Sequence, residues 1–456
     1  MEKWVEEELE GLHLGDKRLD KRFKLLLSRM GNRPLESIPA SLKGWAETQA
    51  AYRFFDNASV SMDKIIEPHH KATLKRIEQE DVVLMIQDTT SLDYTSKRSA
   101  ENLGYLEKEY LRGVFLHPTI AVSSDRLCLG VVDTELWTRK MEDYGNKKQR
   151  KEKPIEEKES YRWIKSYHQS CAIAEKVPDT LVVSIGDREN DIYEVFLEGS
   201  KQKNKAKFVI RAAQDRSVLE ADGEVSLLWT SVEKSQELGT IKIELSKSHK
   251  RKKRTAELSI RVKKVNLYPP YRKGNKLRSI EVNAVLLKEK NAPKDSEPIE
   301  WLLLTNHSIS GFKGGTLIVE WYCCRWQIEI YFKILKSGCS VEELHLEKME
   351  RLERCIGLYM IIAWRVLYLV MIGRNCPDIP AEVVFDESEW KIIYAVSQEK
   401  KPPEEVPKLN DIIKMLASLG GYLGRKSDSQ PGPQTIWIGL RRTADFLKGY
   451  EVAMRR

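Results

Sequence analysis

The sequence has few cysteines and no spacing that would pair them or bind zinc. Its seven cysteines in 456 residues are scattered, only Cys323 and Cys324 are adjacent, and no C-x-x-C motif occurs. Zinc clusters and disulfide frameworks need several closely spaced cysteines, so the sequence argues against both. The reducing cytoplasm is therefore the expected compartment.

The first residues do not show the pattern of a signal peptide, and the sequence has no long uninterrupted apolar run. Residues 1–10 are acidic and do not show the basic-then-apolar order of a signal peptide. The most apolar stretch, 357–373, is interrupted by Arg365 and is short for a bilayer span, so we interpret it as a buried helix. We therefore expect no membrane partner.

Neither sign of charge is in large excess, because 76 Lys and Arg face 68 Asp and Glu, leaving a formal charge of +8. This balance favours a polyanionic partner such as nucleic acid, but many ordinary basic proteins share it. Residues 17–33 contain seven basic residues interleaved with apolar ones, which predicts an amphipathic helix with a cationic face. Arg18 and Arg22 in this helix, and Arg53 in a second helical segment at 45–57, are candidate DNA contacts. A solvated helix surface remains the alternative.

From residue 82 onward, short β-branched runs alternate with helical patterns. The order is three strands, a helix, a strand, a helix and a strand, which is the element order of a ribonuclease-H-like fold. The predicted strands are 82–86, 116–122, 127–136, 181–185 and 208–211, and the predicted helices are 160–175 and 191–201. The first three strands are expected to form an antiparallel meander.

Further strand-like runs at 239–245, 256–265 and 279–287 predict a β-rich insertion over 213–300. Its basic block at 247–254 suits a solvated hairpin tip or a phosphate contact. A strand at 301–306, a long helix at 317–337 and helices at 409–419 and 435–450 follow. The expected α/β chain has an N-terminal helical DNA-binding domain (1–70), a ribonuclease-H-like catalytic domain (71–375) and a C-terminal helical dimerisation domain (376–456).

Two aspartates stand where apolar strands give way to polar residues. Asp88 follows Ile86-Gln87, and Asp187 follows Ile185-Gly186. Carboxylates fixed by rigid strand ends suit a hard cation such as Mg²⁺, because the following loop leaves space for substrate and water. Each aspartate alone could be an ordinary turn residue or helix cap.

A third acidic candidate lies in the predicted helix at 317–337. Tyr322, Arg325, Glu329 and Lys336 would fall within an arc of roughly 60° on a regular helix. This arrangement suits a surface ladder in which Glu329 pairs with Arg325 or Lys333. It equally suits a metal-binding Glu329 flanked by cations that hold phosphates.

These blocks resemble the catalytic blocks of the DDE transposases of bacterial insertion sequences, and more closely those of the IS-four group with its Y-R-E-K signature. The matching segments are Ile86-Gln87-Asp88-Thr89-Thr90, Gly186-Asp187-Arg188-Glu189 and Tyr322-x2-Arg325-x3-Glu329-x6-Lys336. The resemblance extends over nearly the whole chain, since residues 14–16, 51–54, 420–421 and 431–432 are also similar.

The resemblance implies cut-and-paste DNA transposition. Asp88, Asp187 and Glu329 would be the catalytic ligands of two Mg²⁺ ions, with Mn²⁺ as a substitute. Tyr322, Arg325 and Lys336 would contact DNA, and Trp301 would stack on a flipped base; Arg211, Trp326 and Lys333 are further candidate contacts. The implied partners are terminal inverted-repeat DNA, target DNA and a second copy of the chain, and hairpin intermediates are implied.

Two alternatives remain at this stage. One is a catalytically silent DNA-binding protein derived from a transposase, and the other is a ribonuclease-H-like nuclease that only hydrolyses. Glu189 and Asp191 lie close to Asp187, but we interpret them as the start of the next helix. The pair His69-His70 is interpreted as a helix end.

Overall fold

The computed structural model describes residues 2–97, 103–140, 153–203, 205–245, 254–272, 277–294 and 296–454. These residues form two compact units, each discontinuous in sequence. Unit 1 comprises Met1–Gln79, Thr89–Gly145 and Gln327–Arg456, and unit 2 comprises Glu80–Asp88 and Asn146–Trp326. The basic block at 247–254 lies outside the described residues, except for its last residue, Arg254.

The elements of the first half of the chain are α1 Lys3–Glu8, α2 Lys17–Gly31, α3 Ile38–Ser41, α4 Gly44–Phe55, α5 Met62–Ile77, β1 Val82–Gln87, β2 Thr90–Asp93, β3 Gly104–Tyr105, β4 Arg112–Ser123, β5 Cys128–Trp137, α6 Tyr161–Lys176, β6 Leu181–Gly186, α7 Tyr193–Gly199 and β7 Lys207–Arg211. The order of β1, β4, β5, α6, β6, α7 and β7 is the order predicted for a ribonuclease-H-like fold. The two short strands β2 and β3 were not predicted.

The elements of the second half are β8 Ser217–Leu219, β9 Val225–Leu227, α8 Leu228–Glu233, β10 Glu237–Leu245, β11 Arg254–Leu267, β12 Ile280–Glu289, β13 Glu300–Thr305, α9 Gly311–Cys323, α10 Trp326–Lys333, α11 Met349–Asn375, α12 Glu387–Gln398, α13 Leu409–Leu419 and α14 Pro433–Met454. Every strand predicted in the insertion and both predicted C-terminal helices are present. The α/β core with helical N- and C-terminal parts confirms the predicted fold class.

Unit 2 is built on a sheet that begins with three parallel strands. β1 pairs with β6, and β6 pairs with β7, both in parallel. Their apolar, β-branched residues are almost entirely buried, as expected for central parallel strands. The sheet continues through antiparallel pairs of β7 with β13, β13 with β12, and β12 with β11.

Unit 1 contains the N-terminal and C-terminal helices and the antiparallel pair β4 and β5. Its central helix is α11, which is long and apolar enough to cross a membrane by length and composition. However, 94% of its most apolar stretch is buried inside the structure. The interpretation of residues 357–373 as part of a buried helix is confirmed.

The predicted single helix at 317–337 is wrong, because it is interrupted at Cys324 and Arg325. Their backbone N–H groups bond to carbonyls three residues back, which tightens the turn and ends α9. After α10 the chain continues as a π-helical turn at Ile334–Gly338. The 60° arc calculated for a regular helix therefore does not apply to residues 322–336.

The interpretation of His69-His70 as a helix end is also wrong, since both lie inside α5. His69 is fully buried, and its ring hydrogen-bonds to the carboxylate of Glu8. The Val131 N–H donates to Nε2 of His69, so Nδ1 carries the proton and donates to Glu8. A long-range contact of this kind leaves no local pattern in the sequence.

Candidate active site

The two aspartates leave neighbouring parallel strands at the same level. Ile86 of β1 is opposite Ile185 of β6 in the strand register, so Asp88 and Asp187 each follow two residues later. Neighbouring strands lie about 4.8 Å apart, which allows side chains from both ends to reach a common centre. Asp88 and Asp187 thus follow the same end of two neighbouring parallel strands.

Asp88 forms an ion pair with Arg325. Nη1 of Arg325 lies 2.9 Å from Oδ2 of Asp88, and the two side chains are 16% and 13% exposed. Arg325 occupies the two-residue link between α9 and α10, so the interruption of the predicted helix supplies this cation. The guanidinium offsets the negative charge of the Asp88 carboxylate.

Asp187 also organises the backbone that follows β6. Its Oδ1 accepts a hydrogen bond of 2.8 Å from the Glu189 N–H and caps a 3-10 turn over Arg188–Asn190. Gly186 is required at this turn, because a Cβ there would lie 2.1 Å from Nδ2 of Asn190. Close packing around Gly186 therefore fixes the position of the Asp187 backbone.

The acidic neighbours of Asp187 have other partners. Glu189 pairs with Arg162 at 2.9 Å. Asp191 is buried, pairs with Arg216 at 2.7 Å and accepts backbone N–H bonds from Ala213 and Gln214. The interpretation of Glu189 and Asp191 as the start of the next helix is wrong, because Glu189 lies in the 3-10 turn, Asp191 follows that turn, and α7 begins only at Tyr193.

A cationic and aromatic group lies beside the strand ends in unit 2. Arg211 at the end of β7 has its guanidinium 5.7 Å from the Trp301 ring. Trp301 meets Tyr322 edge to face, with ring centroids 5.4 Å apart. Burial raises the pKa of Tyr322, which Arg325 and Arg211 oppose. Burial lowers the pKa of Arg211, and the positive charges of Arg188 and Arg325 lower it further.

Unit 1 carries the remaining residues of the Y-R-E-K signature. Glu329 is half-buried on α10, and Lys333 at the end of α10 is exposed. Lys336 lies in the π-helical turn, 3.6 Å from the carboxylate of Glu342. Trp326 in unit 2 is 59% exposed.

The chemistry of Asp88 and Asp187 fits a hard divalent cation, since both offer carboxylate oxygens from rigid positions. Within the described ranges, no group of three or more His, Cys, Asp or Glu side chains lies close enough to hold a metal ion. Asp88 and Asp187 alone do not make up such a group.

The basic N-terminal residues lie on helices that pack together. Phe23 of α2 stacks on Phe54 of α4, with centroids 5.8 Å apart. Arg53 on α4 is exposed, Arg22 on α2 is half-buried, and Arg18 is highly exposed and pairs with Asp16 at 2.8 Å. Helices α2 and α4 thus pack against each other through these rings.

A cleft that was not predicted from the sequence lies beside Arg53. It has a volume of about 440 Å³ and is lined by Trp45, Gln49, Tyr52, Arg53, His345, Leu346, Glu347 and Arg351. Trp45 is 74% exposed, which is unusual for so large an apolar side chain. The signal was available in the sequence, because positions 45, 49, 52 and 53 share one face of a helix.

Comparison with known families assigns the three parts of the chain. Residues 103–365, more than half of the chain, match the family described as Transposase DDE domain. Residues 1–60 match Transposase DNA-binding, and residues 361–455 match Transposase Tn5 dimerisation domain.

Among solved structures, a piggyBac transposase synaptic complex with hairpin DNA is similar over 98% of this chain and 78% of its own. The identity is 9% and the TM-score is 0.36, so this likeness is too distant to add to the assignment. The family matches are decisive, and the chain therefore belongs to the Tn5-like DDE transposases, DNA transposases that cleave and transfer DNA strands.

Proposed function

We propose that the chain excises and integrates its element by cut-and-paste transposition, with Asp88, Asp187 and Glu329 as the three catalytic carboxylates. The proposal is supported chiefly by one observation. Asp88 and Asp187 follow neighbouring parallel strands in register, and Asp187 lies inside residues 103–365, which match the transposase DDE domain. Glu329 is proposed from the resemblance of its Y-R-E-K block.

DDE transposases depend on divalent cations in general. We propose two Mg²⁺ ions here, with Mn²⁺ as a substitute, held by Asp88, Asp187 and Glu329. When bound, such ions supply Lewis-acid stabilisation to the attacking and leaving oxygens of an in-line displacement. The two aspartates are suited to this task because their strands hold the oxygens in fixed positions.

The cationic and aromatic groups are proposed to bind DNA next to the reacting phosphate. Arg325 offers a planar fork that fits two phosphate oxygens, and Lys333 and Lys336 add positive charge. Trp301 is proposed to stack on an extruded base, supported by its packing between Tyr322 and Arg211. Extrusion of a base would relieve strain in a DNA hairpin, and a hairpin intermediate is therefore part of the proposal.

The terminal inverted repeat of the element is the proposed DNA partner of the N-terminal helices. Exposed Arg18 and Arg53, together with Arg22 and the aromatic cleft around Trp45, support this role. Target DNA and a second copy of the chain complete the proposed complex, with dimerisation through the C-terminal helices. The domain limits 1–70, 71–375 and 376–456 stay predictions, and cytoplasm with DNA association is the proposed location.

The direct test uses full-length protein, Mg²⁺ and a duplex that carries the terminal inverted repeat. Asp187→Ala is expected to lower the strand-cleavage rate by about a thousand-fold while binding of the duplex is retained, because Lewis-acid stabilisation is worth several kcal/mol. Asp179→Asn is the matched control, since Asp179 is exposed before the opposite end of β6. Unchanged cleavage by Asp187→Ala would remove Asp187 from the site.

The same assay separates the alternative functions. A catalytically silent DNA-binding protein would bind the duplex without cleaving it. A nuclease that only hydrolyses would cleave it but would not join the released 3′ end to a target duplex. Joined products from the wild-type chain, and none from Asp187→Ala, are the expected result.

A further inference from the structure

The ion pair between Asp88 and Arg325 places a cation on a proposed metal ligand. Nη1 of Arg325 lies 2.9 Å from Oδ2 of Asp88, and both side chains are largely removed from water. We propose that Arg325 competes with the divalent cation for Asp88, so that metal binding releases its guanidinium for a DNA phosphate. This inference rests on the proposed role of Asp88 as a metal ligand.

Electrostatics makes joint occupancy of Asp88 unfavourable. A divalent cation bound to the same carboxylate would lie within a few ångströms of the guanidinium. Repulsion at such separations is strong where low exposure limits screening by water. One of the two cations must therefore leave, or hold Asp88 much more weakly than it would alone.

The surroundings of Arg325 increase the repulsion. Arg188 and Arg211 are close enough for the charges of Arg188 and Arg325 to act on Arg211. Arg188, Arg211 and Arg325 thus form a group of neighbouring guanidinium groups, and Arg325 is the one in contact with Asp88. A phosphodiester is a suitable alternative partner for the displaced group, because its two oxygens match the planar fork of arginine.

The competition has a reciprocal consequence. If metal binding frees Arg325 for a phosphate, then bound DNA must in turn favour metal binding by the same factor. The site would bind metal weakly before DNA arrives and more tightly afterwards. Arg325 would then be a positioning residue that couples the two binding steps.

The first experiment measures Mn²⁺ binding to the full-length protein without DNA, from the electron paramagnetic resonance signal of free Mn²⁺. Arg325→Gln is expected to bind Mn²⁺ about ten-fold more tightly than wild type, because the competing cation is gone. Arg325→Lys keeps the charge and should stay within about three-fold of wild type. Arg188→Gln removes one positive charge that lies near the site, and should tighten binding by no more than about two-fold.

Thermal unfolding of each variant verifies that it is folded. Unchanged or weaker Mn²⁺ binding by folded Arg325→Gln would overturn the competition, as would equal tightening in Arg325→Gln and Arg325→Lys. Asp88→Asn separates this inference from the proposed function. If Asp88→Asn leaves Mn²⁺ binding unchanged, Asp88 is not a ligand and both proposals fail. If Asp88→Asn loses Mn²⁺ binding, Asp88 remains a ligand, and the result with Arg325→Gln then decides the competition alone.

The second experiment tests the release of Arg325 to a phosphate. Binding of a short duplex of arbitrary sequence is measured by fluorescence anisotropy in Ca²⁺ and in EDTA at matched ionic strength, since phosphate contacts do not depend on sequence. Ca²⁺ should strengthen binding by wild type more than binding by Arg325→Gln. An equal gain in both proteins would show that the guanidinium is not transferred to DNA.

Discussion

Two carboxylates in different regions of this transposase are each held by an arginine, yet their surroundings differ. In unit 2, Asp88 meets Arg325 at a strand end, next to a loop and a second aspartate. In unit 1, buried Glu8 accepts two hydrogen bonds of 3.0 Å from Arg76 and one from His69. Glu8 has its partners inside the fold of unit 1, whereas Asp88 follows the end of a strand whose neighbour is followed by a second aspartate. An ion pair alone therefore does not separate a structural carboxylate from one proposed to be catalytic.

The pKa of Glu8 agrees with a structural role. Burial raises it, but His69 and Arg76 outweigh burial, so the pKa lies below its usual value. Burial also lowers the pKa of His69, against the opposing effect of Glu8, which keeps the ring neutral. The cluster extends to β5, because Nε of Arg76 donates to the Leu129 carbonyl. It fixes α1 and α5 to the strand.

The largest expected effect is on stability. Glu8→Ala should lower the free energy of unfolding by about 3 kcal/mol, because it leaves Arg76 and His69 without their buried partner. Asp88→Asn should lower it by less than Glu8→Ala does, since an asparagine keeps a side-chain oxygen that can accept a hydrogen bond from Arg325. Urea denaturation followed by circular dichroism measures both. Similar losses in the two variants would contradict the distinction between the carboxylates.

A second expected effect is on the rate of DNA strand cleavage, and it comes from the turn that follows β6. Gly186→Ala would place a Cβ against buried Asn190, so the turn that carries Asp187 must shift. A displacement of about 1 Å can lower a rate by up to about a hundred-fold, so strand cleavage should fall strongly. Gly223→Ala is a useful control for the backbone effect, because Gly223 has a φ of +88° and open space around it. It should lower stability slightly and leave cleavage near the wild-type rate.

Most of the framework around the two aspartates could be predicted from the sequence. The apolar runs before Asp88 and Asp187 are long, β-branched and followed at once by polar residues, and both became buried strands. The helix at 409–419 has the predicted bounds, since its apolar residues repeat at helical spacing. Elements with local patterns of this kind can be predicted without knowing which distant residues they contact.

Other features could not be predicted, because they depend on contacts between distant residues. Glu8 and His69 are 61 positions apart, and no local pattern links them. The interruption at Cys324 and Arg325 contains no glycine or proline to mark it. Apolar residues recur at helical spacing both before and after these two positions, so the sequence alone predicts an unbroken helix. The pair of Arg325 with Asp88, 237 positions away, was missed for the same reason.

A third expected effect is on the pH dependence of stability, and it comes from a second buried cluster in unit 1, around Glu389. This cluster should act in the opposite direction to the Glu8 and His69 pair. Burial raises the pKa of Glu389 from 4.5 to about 7, against the opposing effect of Arg365, while Glu2 and Asp386 raise it further. The folded chain then binds more protons than the unfolded chain between these values. Stability therefore falls as the pH rises from 4.5 towards 7, by up to about 1.4 kcal/mol per pH unit.

Glu389→Gln tests this dependence, since a glutamine can still accept the hydrogen bond from the Asp386 N–H. The difference in unfolding free energy between variant and wild type should grow with pH over this window. The Glu8 and His69 pair should act the other way, because their lowered pKa values mean that stability is lost as the pH falls. A pH-independent difference between Glu389→Gln and wild type would rule out titration of Glu389 in the folded chain.

The smallest expected effect concerns an exposed cation of the N-terminal helices, in contrast to the half-buried Arg76 that holds Glu8. Arg53 is exposed on α4 beside Trp45, so Arg53→Ala should leave stability within about 0.5 kcal/mol of wild type. Affinity for terminal-repeat DNA should fall about five-fold, and the salt dependence of binding should decrease by about one phosphate contact. Lys71→Ala is the matched control, since Lys71 is exposed on α5 and pairs with Glu67. If both variants weaken binding equally, the effect is one of net charge, and Arg53 makes no particular contact with DNA.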